Sequence, residues 1–232
     1  MDKIKLLLIE EDEVLAMTIK KAFESNGFKV HIAVNSLEGW NFFKFFKPDV
    51  CMIDIMVPRR DGISMVRDIR QLDQQVTIIS LSAKNHTMDI LRGLEAGGDD
   101  YIKKPFNMEE LITSVKSQVR RNLNRPADAE TKDESAKIAI GAYTLNYMTN
   151  ELLYKDTVIT LSQRETDLLN LLVEHKNDLL NRGTTLLKIW GEDNIRNTKS
   201  MDVYITRLRK YFHRDCKIKI LNVRGQGYKL IM

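Results

Sequence analysis

Five polar residues stand just past apolar runs, where together they would make one phosphate-handling pocket. Glu10 and Glu11 follow Leu6-Leu7-Leu8-Ile9, Asp54 follows Val50-Cys51-Met52-Ile53, Ser82 follows Ile78-Ile79-Ser80-Leu81, and Lys104 follows Tyr101-Ile102-Lys103. A carboxylate such as Asp54 can attack phosphorus and hold it as an acyl phosphate if a cation neutralises the phosphate oxygens. Three carboxylates at one point call for a divalent metal, and Mg²⁺ suits oxygen ligands and phosphate. Glu10, Glu11 and Asp54 are its candidate ligands. Lys104 offers a point positive charge to the phosphoryl group, and Ser82 a hydroxyl able to turn toward it. Each residue by itself reads equally well as a polar loop terminus; the full set in this order does not.

The pocket needs parallel strands ending at one edge. Apolar runs predict strands over residues 5–9, 29–33, 50–53, 77–81 and 100–102. Helical patterns lie between them over 14–26, 36–46, 62–71 and 86–96, with a fifth over 107–121. Strand–helix alternation with continuously apolar strands predicts a doubly wound α/β sheet, which places ligands at the carboxyl ends of its strands. Residues 125–135 hold almost no large apolar side chain and read as a solvated linker. The expected division is a first domain over 1–121, a linker over 122–137 and a second domain over 138–232.

The chain has 232 residues and a net charge of +4, which fits two globular domains. Its apolar runs fall short of the roughly 20 residues of a membrane span, and its start lacks a signal-peptide pattern. Two isolated cysteines, Cys51 and Cys216, fit a reducing cytoplasm and no disulfide framework. The charge is uneven. Ten basic residues from Arg196 to Lys229 face only Asp202 and Asp215, which suggests a polyanionic partner.

The second half has another pattern. Short strands over 138–160 turn at Gly141, Thr149-Asn150 and Lys155-Asp156. Helices are predicted over 162–175, 184–190 and 200–212, the first opened by a Ser162/Glu165 capping box. A hairpin closes the chain, with strands over 217–223 and 228–231 around Gly225-Gln226-Gly227. In helix 200–212, Met201, Tyr204, Ile205, Leu208, Tyr211 and Phe212 share one face. Lys199, Val203, Thr206, Arg207 and Lys210 are expected opposite, with Arg209 on the flank. A helix with a core face and a basic face suits a DNA major groove, and equally suits solvent.

Glu10-Glu11, Met52-Ile53-Asp54-Ile55-Met56-Val57-Pro58, Asp61-Gly62, Leu81-Ser82-Ala83 and Asp99-Asp100-Tyr101-Ile102-Lys103-Lys104-Pro105-Phe106 resemble the receiver domain of two-component response regulators. The resemblance implies a flavodoxin-like fold with strand order 2-1-3-4-5, a cis Lys104–Pro105 bond, and a sensor histidine kinase that phosphorylates Asp54. It also implies a switch in which Ser82 moves inward and Tyr101 fills the vacated space. Pairing of two chains would use the fourth helix, fifth strand and fifth helix, with Ile90, Glu95, Asp99, Asp100, Glu110 and Arg121 as candidates. This chain departs from the family pattern at Glu11, where Asp is more usual, and at Ile90 and Ser114, where basic residues are common.

Lys188-Ile189-Trp190-Gly191, Ser200-Met201-Asp202-Val203-Tyr204-Ile205-Thr206-Arg207-Leu208-Arg209-Lys210 and Val223-Arg224-Gly225-Gln226-Gly227-Tyr228 are similar to the winged-helix output domain of the OmpR/PhoB class. That likeness implies DNA contacts from Lys199, Thr206, Arg207 and Arg209 on the recognition helix, from Asn222, and from Arg224 on the wing. Trp190 and Tyr228 are expected in the core. The whole reads as a cytoplasmic transcription factor that dimerises on promoter half-sites under control of phosphorylation, with RNA polymerase as a further partner. Two other readings fit parts of the chain: a regulator that binds DNA without phosphorylation, and a metal-dependent phosphotransferase acting on small molecules.

Overall fold

The computed structural model describes residues 3–57, 61–83, 92–123 and 136–232, leaving aside the side chains of 120–123 and 196. Residues 124–135 of the expected linker and most of the fourth predicted helix lie outside these residues; the linker's expected ends belong to described structure, Leu123 to a helix and Lys137 to a strand. The chain divides into two compact units, Met1–Asn124 and Arg125–Met232.

In the first unit, β1 (Ile4–Ile9), β2 (Phe28–Ala33), β3 (Val50–Asp54), β4 (Thr77–Ser82) and β5 (Asp100–Lys103) form a parallel sheet in the order β2-β1-β3-β4-β5. Both faces are covered, which is why the strands are apolar without alternation. Leu6 and Leu8 face α1 (Glu13–Glu24) and α5 (Met108–Leu123), together with Ala16, Ile19, Phe23, Leu111 and Val115. Leu7 and Ile9 face α2 (Ser36–Phe46) and α3 (Gly62–Leu72), together with Phe43, Met65, Val66 and Ile69. Of α4, residues 92–95 are described. Polar caps fix where the helices begin: Asp12 accepts from Leu15 N, Asn35 from Glu38 N, and Asp61 from Ile63 N.

The second unit opens with an antiparallel sheet of β6 (Lys137–Ile140), β7 (Tyr143–Asn146), β8 (Glu151–Tyr154) and β9 (Thr157–Thr160). Its turns fall at Gly141, Asn150 and Lys155, all with positive φ, where the sequence predicts them. Then come α6 (Gln163–Glu174), β10 (Leu180–Asn181), α7 (Arg182–Trp190), α8 (Ile195–Tyr211), a 3₁₀ turn (Phe212–Arg214), β11 (Lys219–Val223) and β12 (Gly227–Ile231). The Ser162/Glu165 capping box forms as expected. Helix α8 differs from expectation. It starts at Ile195 because Asn194 caps it through Asn197 N, adding a polar first turn that carries no apolar periodicity. The hairpin β11–β12 also pairs with β10, the short strand absent from the sequence reading. No helix among the described residues is long and apolar enough to cross a membrane.

Candidate functional site

Strand ends bring Glu10, Asp54 and Lys104 together at the carboxyl edge of the parallel sheet. Lys104 Nζ lies 2.5 Å from Glu10 Oε2 and 2.5 Å from Asp54 Oδ2. The second oxygen of each carboxylate is held by a backbone amide: Met56 N donates to Asp54 Oδ1 at 2.7 Å, and Asp12 N donates to Glu10 Oε1 at 3.2 Å. Glu10 and Asp54 are both buried. Burial pushes the Glu10 carboxyl above its ordinary 4.5, against the lowering effect of the Lys104 ammonium. Burial works against the charge on Lys104 too, but its bonds to Asp54 and Glu10 prevail and hold it above 10.5. The Lys104–Pro105 peptide is cis, as the family resemblance implies.

Ser82 ends β4, paired in register with Lys103, and its carbonyl accepts from Lys104 N at 2.9 Å. Its side chain is buried. Tyr101 is only 2% exposed and packs with Ile55 and Ala96, so the aromatic expected to turn inward is already inside. Glu11 is exposed. Among the described residues no three His, Cys, Asp or Glu side chains are assembled to hold a metal ion. The chemistry of the donor set nonetheless suits Mg²⁺: two buried carboxylates point hard oxygen atoms at a single cation, and here the Lys104 ammonium is that cation. Glu10 and Asp54 would hold the metal; Glu11, the third expected ligand, is exposed.

Two residues expected on the pairing face have partners inside the first unit. Asp99 is buried and bound to Arg70, whose Nη2 lies 2.5 Å from Asp99 Oδ2 and whose Nε donates to Gly97 O. Asp100 is buried as well, and its Oδ2 accepts from Gln118 Nε2 at 2.7 Å. Both carboxylates thus have hydrogen-bond partners inside their own chain. Glu95 and Glu110 are exposed, and Ile90 and the Arg121 side chain lie outside the described residues.

In the second unit Trp190 and Tyr228 join the core, as expected. The Tyr228 hydroxyl donates to Asp202 Oδ1 at 2.5 Å, and burial first, then Asp202, pushes it up to about 12. On α8, Thr206 and Lys210 are exposed, and Lys199 is half-buried. Val203 is buried rather than facing outward. Arg207 is also turned in. Its Nη1 lies 3.3 Å from Glu165 Oε1, which accepts a hydrogen bond from Tyr211 as well, and its guanidinium covers the Tyr204 ring. The sequence missed this because the partner carboxylate sits 42 residues away on α6. Arg209 is exposed, yet its Nε and Nη2 both donate to Ile220 O on β11. Asn222 and Arg224 are exposed on the hairpin. Among the expected contacts, Thr206, Arg209, Asn222 and Arg224 are thus exposed on α8 and the wing, as is Lys210, while Lys199 is half-buried.

Residues 6–116 match the family described as response regulator receiver domain, and residues 156–230 match transcriptional regulatory protein, C terminal. With this fold and these matches, the chain belongs to the two-component response regulators of the OmpR/PhoB type, which join a receiver to a DNA-binding domain. Transcriptional regulatory protein RprY of Bacteroides fragilis is 37% identical over 230 residues, spanning 99% of this chain and 95% of the relative. Transcriptional regulatory protein TrcR of Mycobacterium tuberculosis is 34% identical, spanning 98% of this chain and 86% of the relative. A solved RitR mutant shares the fold over 98% of each chain, with a TM-score of 0.72 at 20% identity.

Proposed function

We propose that Asp54 accepts the phosphoryl group of a sensor histidine kinase and that this governs promoter binding by α8 and the wing. A carboxylate oxygen of Asp54 forms the new P–O bond as the P–N bond of the kinase's phosphohistidine breaks, and the departing imidazole takes up a proton. Lys104 supplies fixed positive charge beside the transferred group, and the Met56 amide holds the other Asp54 oxygen in place. Bound Mg²⁺ supplies charge neutralisation for the phosphate oxygens. Glu10 and Asp54 hold it, Ser82 turns to the new oxygens, and the protein takes up one phosphoryl group per chain rather than turning over a substrate. The observation that carries the reading is Lys104 Nζ at 2.5 Å from both buried carboxylates at the sheet edge.

The output half binds duplex DNA in the cytoplasm. Lys199, Thr206, Lys210, Asn222 and Arg224 face the duplex, Arg209 contributes while anchored to β11, and Arg207 acts by holding α8 on α6. Two chains pair through the exposed part of the α4–β5–α5 face, which includes Glu95 and Glu110, and occupy spaced half-sites where RNA polymerase is recruited. Phosphorylation by a small acyl-phosphate donor, followed by affinity measurement on promoter DNA, tests the reading. Wild type gains one phosphoryl group and binds more tightly; Asp54→Ala gains none and stays at the basal affinity. Equal promoter affinity of wild type and Asp54→Ala under all conditions would instead make the chain a regulator that binds DNA without phosphorylation.

A further inference from the structure

Helix α2 carries more aromatic surface than its packing uses. Residues 40–46 read Trp-Asn-Phe-Phe-Lys-Phe-Phe; Phe43 is buried, and Trp40, Phe42 and Phe46 are half-buried against the core. Phe45 is 87% exposed. The rings around it are covered by cations. Lys44 Nζ lies 4.8 Å from the centre of the Trp40 ring, and Lys29 and Lys5 lie 5.8 and 6.0 Å from that of Phe46. Exposed Lys47 follows the helix. The nearby acids Glu38 and Asp49 are turned to backbone amides, those of Val34 and Lys5. The end of α2 therefore presents one exposed ring, Phe45, among cations.

The same unit displays the complement. At the start of α1, Glu11, Asp12 and Glu13 are exposed, and beside them Val14 is 78% and Met17 48% exposed. Val14 and Met17 are three residues apart and share a helix face. This is an apolar patch rimmed by carboxylates. Every copy carries both patches, on different helices, so their union joins unlike surfaces of two molecules. A two-fold pairing of Phe45 with Phe45 would set lysines against lysines.

We propose that the receiver associates with a second copy of this chain head to tail, Phe45 of one molecule seating on Val14 and Met17 of the next. Lys44 and Lys47 then meet Glu11 and Glu13. The contact lies beside Glu10 and so flanks the phosphoacceptor pocket of the receiving molecule. It differs from the symmetric pairing described above in being open-ended and independent of phosphorylation. A contact this small is weak, with a dissociation constant on the order of 10⁻⁴ M.

Sedimentation of the full unphosphorylated chain at low salt, from about 10 μM to about 1 mM, spans that range. The mean mass is expected to rise with concentration past that of a dimer without a plateau, and to fall back as salt screens the charges. Phe45→Ala abolishes the rise. Lys44→Glu and Glu13→Lys are each monomeric, because each variant sets like charges against each other. An equimolar mixture of the two associates again, since each variant then supplies the partner that the other needs. The proposal is overturned if wild type stays monomeric throughout, if growth stops at a dimer, or if the mixture of the two charge variants remains monomeric.

Discussion

Arg207 shows how one contact reassigns a residue. A basic side chain on the recognition helix invites the role of base reader, but this one is paired with buried Glu165 and laid over Tyr204. Removing one partner of such a pair strands the other charge, at a cost on the order of 3–5 kcal/mol. Arg207→Ala should therefore lower the urea midpoint of the full chain markedly, whereas Thr206→Ala on the exposed face should leave it within about 0.5 kcal/mol and change DNA affinity instead. Equal urea midpoints for wild type and Arg207→Ala would return Arg207 to the duplex. Glu10 carries a prediction in pH. Because burial raises its carboxyl above 4.5, the fold binds more protons than the unfolded chain in the window just above that value. The metal-free receiver then loses stability as pH rises through the window. Lys104, held above 10.5, contributes stability that persists through neutral pH and is lost only as pH climbs past its own folded value. A Mg²⁺ ion held by Glu10, as proposed, takes the carboxylate form, so its affinity should rise as pH climbs through the Glu10 window, and calorimetric titration of Glu10→Gln should show weak binding with that rise removed. The residue types at the pocket were legible from strand ends alone. The inward turns of Arg207, Asp99 and Asp100 were not, because each is fixed by a partner remote in sequence: Glu165, Arg70 and Gln118.

At the scale of elements, α3 positions the phosphoacceptor by close approach. A Cβ on Gly62 would stand 2.5 Å from the carbonyl oxygen of Asp54 and 2.9 Å from Ile55 Cα, both backbone atoms. Gly62→Ala should push α3 away from the end of β3, move Asp54 relative to Lys104, and slow phosphorylation by a small donor several-fold or more while the second unit still binds DNA. An unchanged rate would show that α3 can yield without disturbing the strand. Elements were read well wherever burial imposes a period. Apolar runs marked all five strands of the first sheet, and Ser162 with Glu165 marked the start of α6. The reading failed where burial imposes none. The first turn of α8 is polar and is held by the Asn194 cap, and β10 is two residues long and exists only because β12 pairs with it.

Across the whole molecule, charge separates the halves, and the salt dependence of DNA binding should reflect this. The outward residues of α8 and the wing are mostly basic, so affinity for promoter DNA should fall steeply and log-linearly with salt. Arg224→Ala should weaken binding on all sequences alike and reduce that slope by about 1, measured by titration over a salt series. A slope equal to that of wild type would remove Arg224 from the phosphates. The two-part organisation was legible from the change of pattern near residues 125–135, and the compact units divide between Asn124 and Arg125. Within the second unit, Arg209 has a consequence for how specificity can change. Its two hydrogen bonds to Ile220 O tie the reading helix to the hairpin strand that leads to Arg224. In the proposed docking neither part is re-aimed alone: a substitution that tilts the helix against the major groove should drag the hairpin along the sugar-phosphate rail. New operator preferences should therefore arise through exchanges of outward side chains such as Thr206, with the backbone geometry inherited unaltered.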